Sequence, residues 1–239
     1  MKKTILLALC CYFAAQASYA QETETETETN VTVTEDKTCK SKYPFDFYVG
    51  FGATFLGDYN LEDKLAITNM PEIGGAAPEF TFGFTSVSPN EKLYMDFEGT
   101  AAHMDKKDGV NRLKTTVGAV KLRIHYKLAG NDKWYFSGGG DASYNFTQVN
   151  LYSRSNVIDL NNLNPATYGG HISMYNQQVM LGPSVSLGFC RNMLFPLRLN
   201  LGYDIAITNG KWRSEFADVH NNIKENGFSR FYAKLIIDL

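Results

Sequence analysis

The chain has 239 residues and a formal net charge of −2, from 23 lysines and arginines against 25 aspartates and glutamates. That balance offers no basic surface for nucleic acid, and the length suits one domain of moderate size. Glycine (20), phenylalanine (16) and tyrosine (14) are plentiful while cysteine (4) and proline (7) are scarce, a mix that fits strands in close backbone contact better than helices.

Residues 1–20 read as a secretory signal peptide. Lys2 and Lys3 precede an apolar run from Ile5 to about Ala15, and Ser18-Tyr19-Ala20 places small residues for cleavage before Gln21. A lipoprotein signal using Cys10 or Cys11 would leave only Ile5 to Leu9 as its apolar region, which is short for any signal. No later segment reads as a transmembrane helix, because polar residues or glycines interrupt every apolar stretch. Residues 21–43 carry a Glu-Thr repeat, cannot bury a core and read as a disordered acidic periplasmic tail. Cys39 and Cys190 remain after the signal; they either pair in an oxidising compartment or stay as free thiols.

From Pro44 to Leu239 the chain alternates with period two, the mark of strands. The first strand sets Phe47, Val49, Phe51, Ala53 and Phe55 on one face, and the second Phe80, Phe82 and Phe84. The third sets Leu93, Met95 and Phe97 against Asp96 and Glu98; the fourth sets Val120, Leu122, Ile124, Tyr126 and Leu128 against Lys121, Arg123, His125 and Lys127. The fifth to eighth follow the same rule, with Asp141, Arg198, Asp204, Arg230, Lys234 and Asp238 on the polar side; Ile236 breaks that side once. Short turns fall at about 87–92, 129–133 and 190–194, and longer links at about 57–78, 103–112, 147–176 and 208–226. Short turns at one end and long loops at the other are the layout of an eight-stranded antiparallel up-and-down transmembrane β-barrel, both termini lying with the short periplasmic turns.

Bulk decides which face is inside. An eight-stranded barrel barely has room for its own side chains, and the row of phenylalanines, leucines and Trp134 would overfill it. The glycine- and serine-rich polar face fits, so the apolar face meets lipid. The inward charges, Asp96, Glu98, Asp204, Lys121, Arg123, Lys127, Arg198, Arg230 and Lys234 with Asp46, Glu79, Asp141 and Asp238, nearly balance. Antiparallel pairing sets Glu98 near Arg123 and Asp96 near His125 or Lys127, and predicts a salt-bridged, closed lumen.

On this strand layout the chain resembles the small outer-membrane β-barrel superfamily that includes the OmpA transmembrane domain, OmpX, OmpW and PagP. The closing stretch from Phe231 to Leu239 looks like the signal read by the barrel-assembly machinery, although Leu239 stands where an aromatic residue is usual. The resemblance implies a Gram-negative source, insertion by that machinery, and outer-membrane lipid and lipopolysaccharide as surroundings.

Candidate chemistry is sparse. His171-Ile172-Ser173 has the His-x-Ser spacing of lipid A deacylase barrels, but no Glu follows in the adjoining strands, which favours a polar loop edge. His103, His125, His171 and His220 have no metal-site spacing, and Asp96 with Glu98 reads as ion-pair partners rather than an acid–base pair. No cofactor motif appears. Surface binding, if any, falls to the outer loops, where Tyr168, Trp212, Arg213 and Phe216 are the candidate contacts. The expectation is a non-enzymatic barrel with a structural or surface-interaction role; the alternatives are a narrow solute channel and a lipid A or phospholipid hydrolase.

Overall fold

A computed structural model describes residues 45–153, 171–189, 195–220 and 223–239. The signal and tail segments, Cys39, Cys190 and Tyr168 lie outside the described residues. Eight strands close a barrel: β1 (Asp46–Leu56), β2 (Gly75–Val87), β3 (Leu93–Asp108), β4 (Asn111–Gly130), β5 (Trp134–Ser153), β6 (His171–Phe189), β7 (Leu197–Ala206) and, last in the chain, β10 (Ser229–Asp238). Each pairs antiparallel with its neighbour, and β1 pairs with β10 from Tyr48↔Asp238 to Leu56↔Arg230 to complete the ring. A short helix α1 (Glu62–Ile67) lies between β1 and β2, and a two-stranded hairpin, β8 (Gly210–Lys211) with β9 (Lys224–Glu225), lies between β7 and β10. No described helix is long and apolar enough to cross a membrane.

The central strands are longer than their apolar alternation implies. Residues 103–112 are not a loop: β3 and β4 pair out to Asp108↔Asn111, leaving a tight turn with Gly109 at φ +54°. Much of the expected 147–176 link is also strand, because β5 runs to Ser153 and β6 begins at His171, paired from Tyr152↔His171 inward. The strands β3 to β6 therefore extend as a four-stranded sheet past the ends of β1, β2, β7 and β10.

Along these long strands the side-chain polarity inverts while the backbone parity stays constant. In the lower part of β4, Val120, Ile124, Tyr126 and Leu128 point outward and are exposed, whereas Lys121, Arg123 and His125 are buried inside. In its upper part Leu113, Val117 and Ala119 are the buried inward residues, while Arg112, Lys114 and Thr116 face out. The strand β5 changes over between Phe146 and Val149, and β3 between Ala101 and Ala102. A surface that is apolar below and polar above is one that leaves lipid and enters water. The apolar belt, with Phe47 and Phe51 each 65% exposed and Phe82 59% exposed, thus marks the membrane-spanning part. About ten residues per strand at 3.3 Å rise, tilted near 45°, match its height of roughly 25 Å.

Inside the belt, bulky tyrosines are housed by glycines directly across the ladder. Tyr48 faces Gly83, Tyr135 faces Gly188 and Tyr232 faces Gly202. A Cβ on any of these glycines would meet the tyrosine ring. Gly83→Val should therefore displace Tyr48 and destabilise the barrel by about 1–3 kcal/mol, in line with overpacked cores. The check is urea unfolding from vesicles, followed as the shift between unboiled and boiled gel mobility; an unchanged midpoint would refute the fit.

Candidate functional site

The lumen is filled in three layers, each fixed by strand register. At the short-turn end Tyr94 and Tyr135 stack with ring centroids 5.0 Å apart, and Arg198 lies 4.8 Å from the Tyr48 ring. Arg198 bonds Asp96 at 3.2 Å and pairs with Asp238 at 2.8 Å, while Thr85 donates to Asp96.

The middle layer sets Lys121, Arg123, Arg230 and Lys234 against Glu79, Glu98, Asp141 and Asp204, all buried, and Asp96 joins it to the layer below. The ladder places Asp96 opposite Arg123, Glu98 opposite Lys121, Asp141 opposite Arg123 and Asp204 opposite Arg230. Arg123 donates to Asp96 (3.1 Å), Glu98 (3.4 Å), Asp141 (3.1 Å) and the Tyr232 hydroxyl (3.0 Å). Lys121 joins Asp141 (3.0 Å) to Asp204 (2.9 Å), and its ammonium sits 3.6 Å from the Tyr232 ring centroid. Arg230 continues from Asp204, and Lys234 links Glu79 (2.9 Å) to Glu98 (2.6 Å). Tyr232 donates to Asp141, so its ring and hydroxyl both serve the network.

Glycines extend the reach of these side chains over an intervening strand. Gly52 lies between Lys234 and Glu79 in the ladder, and its bare backbone lets the lysine cross β1 to reach a carboxylate on β2. Gly83 does the same for Tyr48, whose hydroxyl donates to Glu98 on β3 at 3.2 Å.

Two of the sequence assignments change here. His125 does not pair with Asp96: its Nε2 lies 2.7 Å from Ser184 Oγ and its Nδ1 3.2 Å from Ser137 Oγ. Ser184 spends its hydroxyl proton on Asp141 (2.6 Å), so Nε2 carries the hydrogen and Nδ1 accepts from Ser137. His, Ser and Asp meet, yet the carboxylate holds the serine rather than orienting the imidazole, and all three are buried among the ion pairs. Lys127 also departs from its assignment. It stands half-buried at the short-turn rim, and no ion pair involves it among the described residues.

The third layer is an apolar plug that the alternation pattern hid. The concave side of the protruding sheet presents Met104, Leu113, Val117, Val149, Leu151 and Met180. The two outer loops fold over it. Tyr59 of the first loop stacks on Phe228 (4.2 Å), meets Trp212 edge-on (5.6 Å) and bonds Thr147 on the far wall (2.8 Å). Burial pushes the Tyr59 hydroxyl pKa above its ordinary value. Glu225 ties the loops together: its buried carboxylate accepts the Asn60 and Leu61 backbone N–H groups (2.6 and 3.0 Å) and the Trp212 indole N–H (2.6 Å).

Of the expected surface contacts, Trp212 is only 1% exposed; it is a plug residue, because its large apolar ring fills the mouth while its N–H reaches Glu225. Phe216 is 80% exposed, and Arg213 is exposed while its backbone bridges Tyr175. His171 and Ser173 do not form a dyad. On the convex outer face His171 stacks on Tyr152 (4.6 Å), and Ser173 accepts from Gln148 (3.3 Å). Near the hairpin tip, Arg112 forms a two-pronged pair with Asp105. Among the described residues no group of His, Cys, Asp and Glu is placed to hold a metal ion. Sequence reasoning missed Glu225, Tyr232 and the apolar inward row. The last was signalled by the change of phase between Ala119 and Val120.

A closed eight-stranded antiparallel barrel, with an apolar belt outside and paired charges inside, is the fold of a transmembrane β-barrel. No protein-family model and no curated protein matches the sequence of this chain. Among solved structures it is similar to Neisserial surface protein A, at 13% identity over 82% of this chain and 97% of that one, with a TM-score of 0.49. It is similar to a major outer membrane protein of Thermus thermophilus, at 11% identity over 82% and 100%, TM-score 0.49. The attachment invasion locus protein of Yersinia pestis matches at 8% identity over 82% and 97%, TM-score 0.46.

Two outcomes are expected. Glu225→Ala strips the buried Leu61 and Trp212 N–H donors and the part-buried Asn60 N–H of their acceptor, so the outer loops should loosen by about 1–3 kcal/mol per buried orphan. Glu225→Gln, which keeps one acceptor oxygen, should loosen them less. Amide hydrogen exchange at Asn60 and Leu61 in detergent reads the difference, and equal protection in both variants would contradict the latch. The second concerns the hairpin tip, beyond the belt. The hydrogen bonds and charge of Arg112 hold Asp105 down at about 2. A carboxyl lowered on folding contributes fully above its unfolded value of about 3.9 and ceases to as pH falls through the folded one. An NMR titration of Asp105 should thus have its midpoint near 2, and Arg112→Gln should return it to the ordinary carboxylate range.

Proposed function

We propose that the protein is a sealed, non-catalytic barrel of the outer membrane that serves the cell by presenting its protruding sheet and outer loops at the surface. It reaches that membrane by export, with its leader removed after Ala20, by recognition of its closing strand by the barrel-assembly machinery, and with both termini periplasmic. The observation that carries the reading is the occupied lumen. A paired charge network spans the lower and middle sections, and the Trp212–Tyr59–Phe228 plug, latched by Glu225, fills the outer mouth. A channel needs a wetted path and a hydrolase needs a nucleophile that substrate can reach. Ser184, the one serine bonded to both a histidine and an aspartate among the described residues, is buried in the lumen wall.

Surface interaction is the remaining role, and the outward face of β3 to β6 supports it. Lys114 lies 5.8 Å over the Tyr152 ring, and Gln148, Asn150, Tyr152 and His171 surround it on a sheet continuous with the lipid-facing belt. Residues 111–117 rise about 15 Å above the belt at 3.3 Å each with a 45° tilt, which is headgroup and core-sugar height. Aromatic faces beside amides and a cation suit phosphorylated sugars, so lipopolysaccharide is the partner this face fits.

Planar-bilayer recordings of the purified protein should give no reproducible conductance steps, and lipid A from deletion and overexpression strains should have identical mass spectra. Steady steps would replace the sealed reading with a channel. A changed acyl count would replace it with a hydrolase.

A further inference from the structure

At the short-turn end, the β2–β3 turn and the end of β4 enclose an open cleft of about 450 Å³, lined among others by Lys92, Lys127, Leu128 and Gly130. Its walls are tied by the Lys127 backbone N–H, which donates to the Lys92 carbonyl at 2.8 Å. The ladder between β4 and β5 skips Leu128, passing from Lys127↔Ser137 to Ala129↔Phe136. At such a bulge the extra residue's backbone is left out of the regular ladder, and Leu128 lines the cleft. Leu128 is 62% exposed, and Tyr126 and Trp134 beside it belong to the apolar belt.

The cleft therefore opens where belt gives way to water, and it is positively charged. Neither the exposed Lys92 nor Lys127 has an ion-pair partner among the described residues, and Glu91, which also lines the cleft, leaves its lining a net charge of +1. Every other inward cation of β4 is matched by carboxylates, so a half-buried Lys127 without one is an anomaly of this lumen. A partly desolvated ammonium is most stable beside an anion.

We propose that this cleft is a phosphate-binding site, with Lys127 and Lys92 holding the anion and the bulged β4 end lending its backbone. The proposal rests on the membrane reading above, because that reading sets the cleft at the headgroup level of the adjoining leaflet. The same chemistry serves two sources, a phospholipid headgroup and free phosphate.

The test uses the full barrel in nanodiscs of mixed phosphatidylglycerol and phosphatidylcholine, with lipids retained on release counted by native mass spectrometry. Inorganic phosphate is titrated in parallel against detergent-solubilised protein, read at the Ala129 and Gly130 amides by NMR. The K92Q/K127Q double variant is compared with K133Q, which removes a lysine from the neighbouring turn outside the cleft. The expected result is preferential retention of phosphatidylglycerol that falls roughly thirtyfold in the double variant, about the worth of two lysines near a lipid surface, and persists in K133Q. Amide shifts with inorganic phosphate, without lipid preference, would support the site and assign it to free phosphate. Neither response in the wild type, or equal loss in K133Q, overturns the site while the barrel stands. Failure to enter nanodiscs or to show the heat-dependent gel shift overturns the membrane reading, and the site with it.

Discussion

A narrow barrel in lipid must neutralise whatever charge it places inside, and that constraint organises this protein. Neither bulk water nor lipid headgroups reach the middle layer, so each of its cations needs carboxylates within bonding distance. Arg123 and Lys121 answer this by each touching two or more acids, and Tyr232 fills the space among four cations. Buried ion pairs contribute little net stability compared with well-packed apolar groups. Their value here is in register. A slip of two residues along any strand keeps every phenylalanine facing lipid, so the apolar alternation cannot detect it. The same slip would carry Arg123 away from Asp96 and Asp141 and drive Tyr48 off Gly83. Charge pairing and tyrosine–glycine fit thereby encode what hydrophobicity leaves open.

Much of this was legible without coordinates. The alternation in 44–56, 93–101 and 120–128 fixes the strands, and the bulk of the phenylalanine row fixes their orientation. The list of inward charges also follows from parity, as Lys121, Arg123 and Arg230 illustrate. Three things were not legible, for different reasons. Pairing partners depend on register, so placing Glu98 beside Arg123 while sending Asp96 to His125 mixed a right neighbour with a wrong one. Strand ends were hidden because the apolar phase inverts near Ala119 and Phe146, and a search for one continuous apolar face stops there. Trp212 looked like a surface contact because nothing local to its loop announces Glu225, thirteen residues on, as the acceptor that buries it.

The inversion of polarity divides the molecule into two proteins sharing four strands. Below the change, the sheet obeys the rules of a membrane barrel, with lipid as solvent and water-seeking groups inside. Above it, the same strands obey the rules of a soluble half-barrel, with an apolar core capped by loops. The plug is thus a small water-soluble core that borrows its floor from the membrane domain.

Gly50 and Gly52 on β1 lie at the seam where the first and last strands meet, facing Ile236 and Lys234. Side chains at those two positions would collide with the last strand, since a Cβ on Gly52 overlaps Lys234 itself. At those two positions the bulk of the seam is carried by β10, while Tyr48, Thr54 and Leu56 fill the inner face of β1 to either side. Over that short stretch the last strand lies directly against bare β1 backbone. Lys234, lying over Gly52 with its ammonium on Glu79, thus fastens three strands at one point.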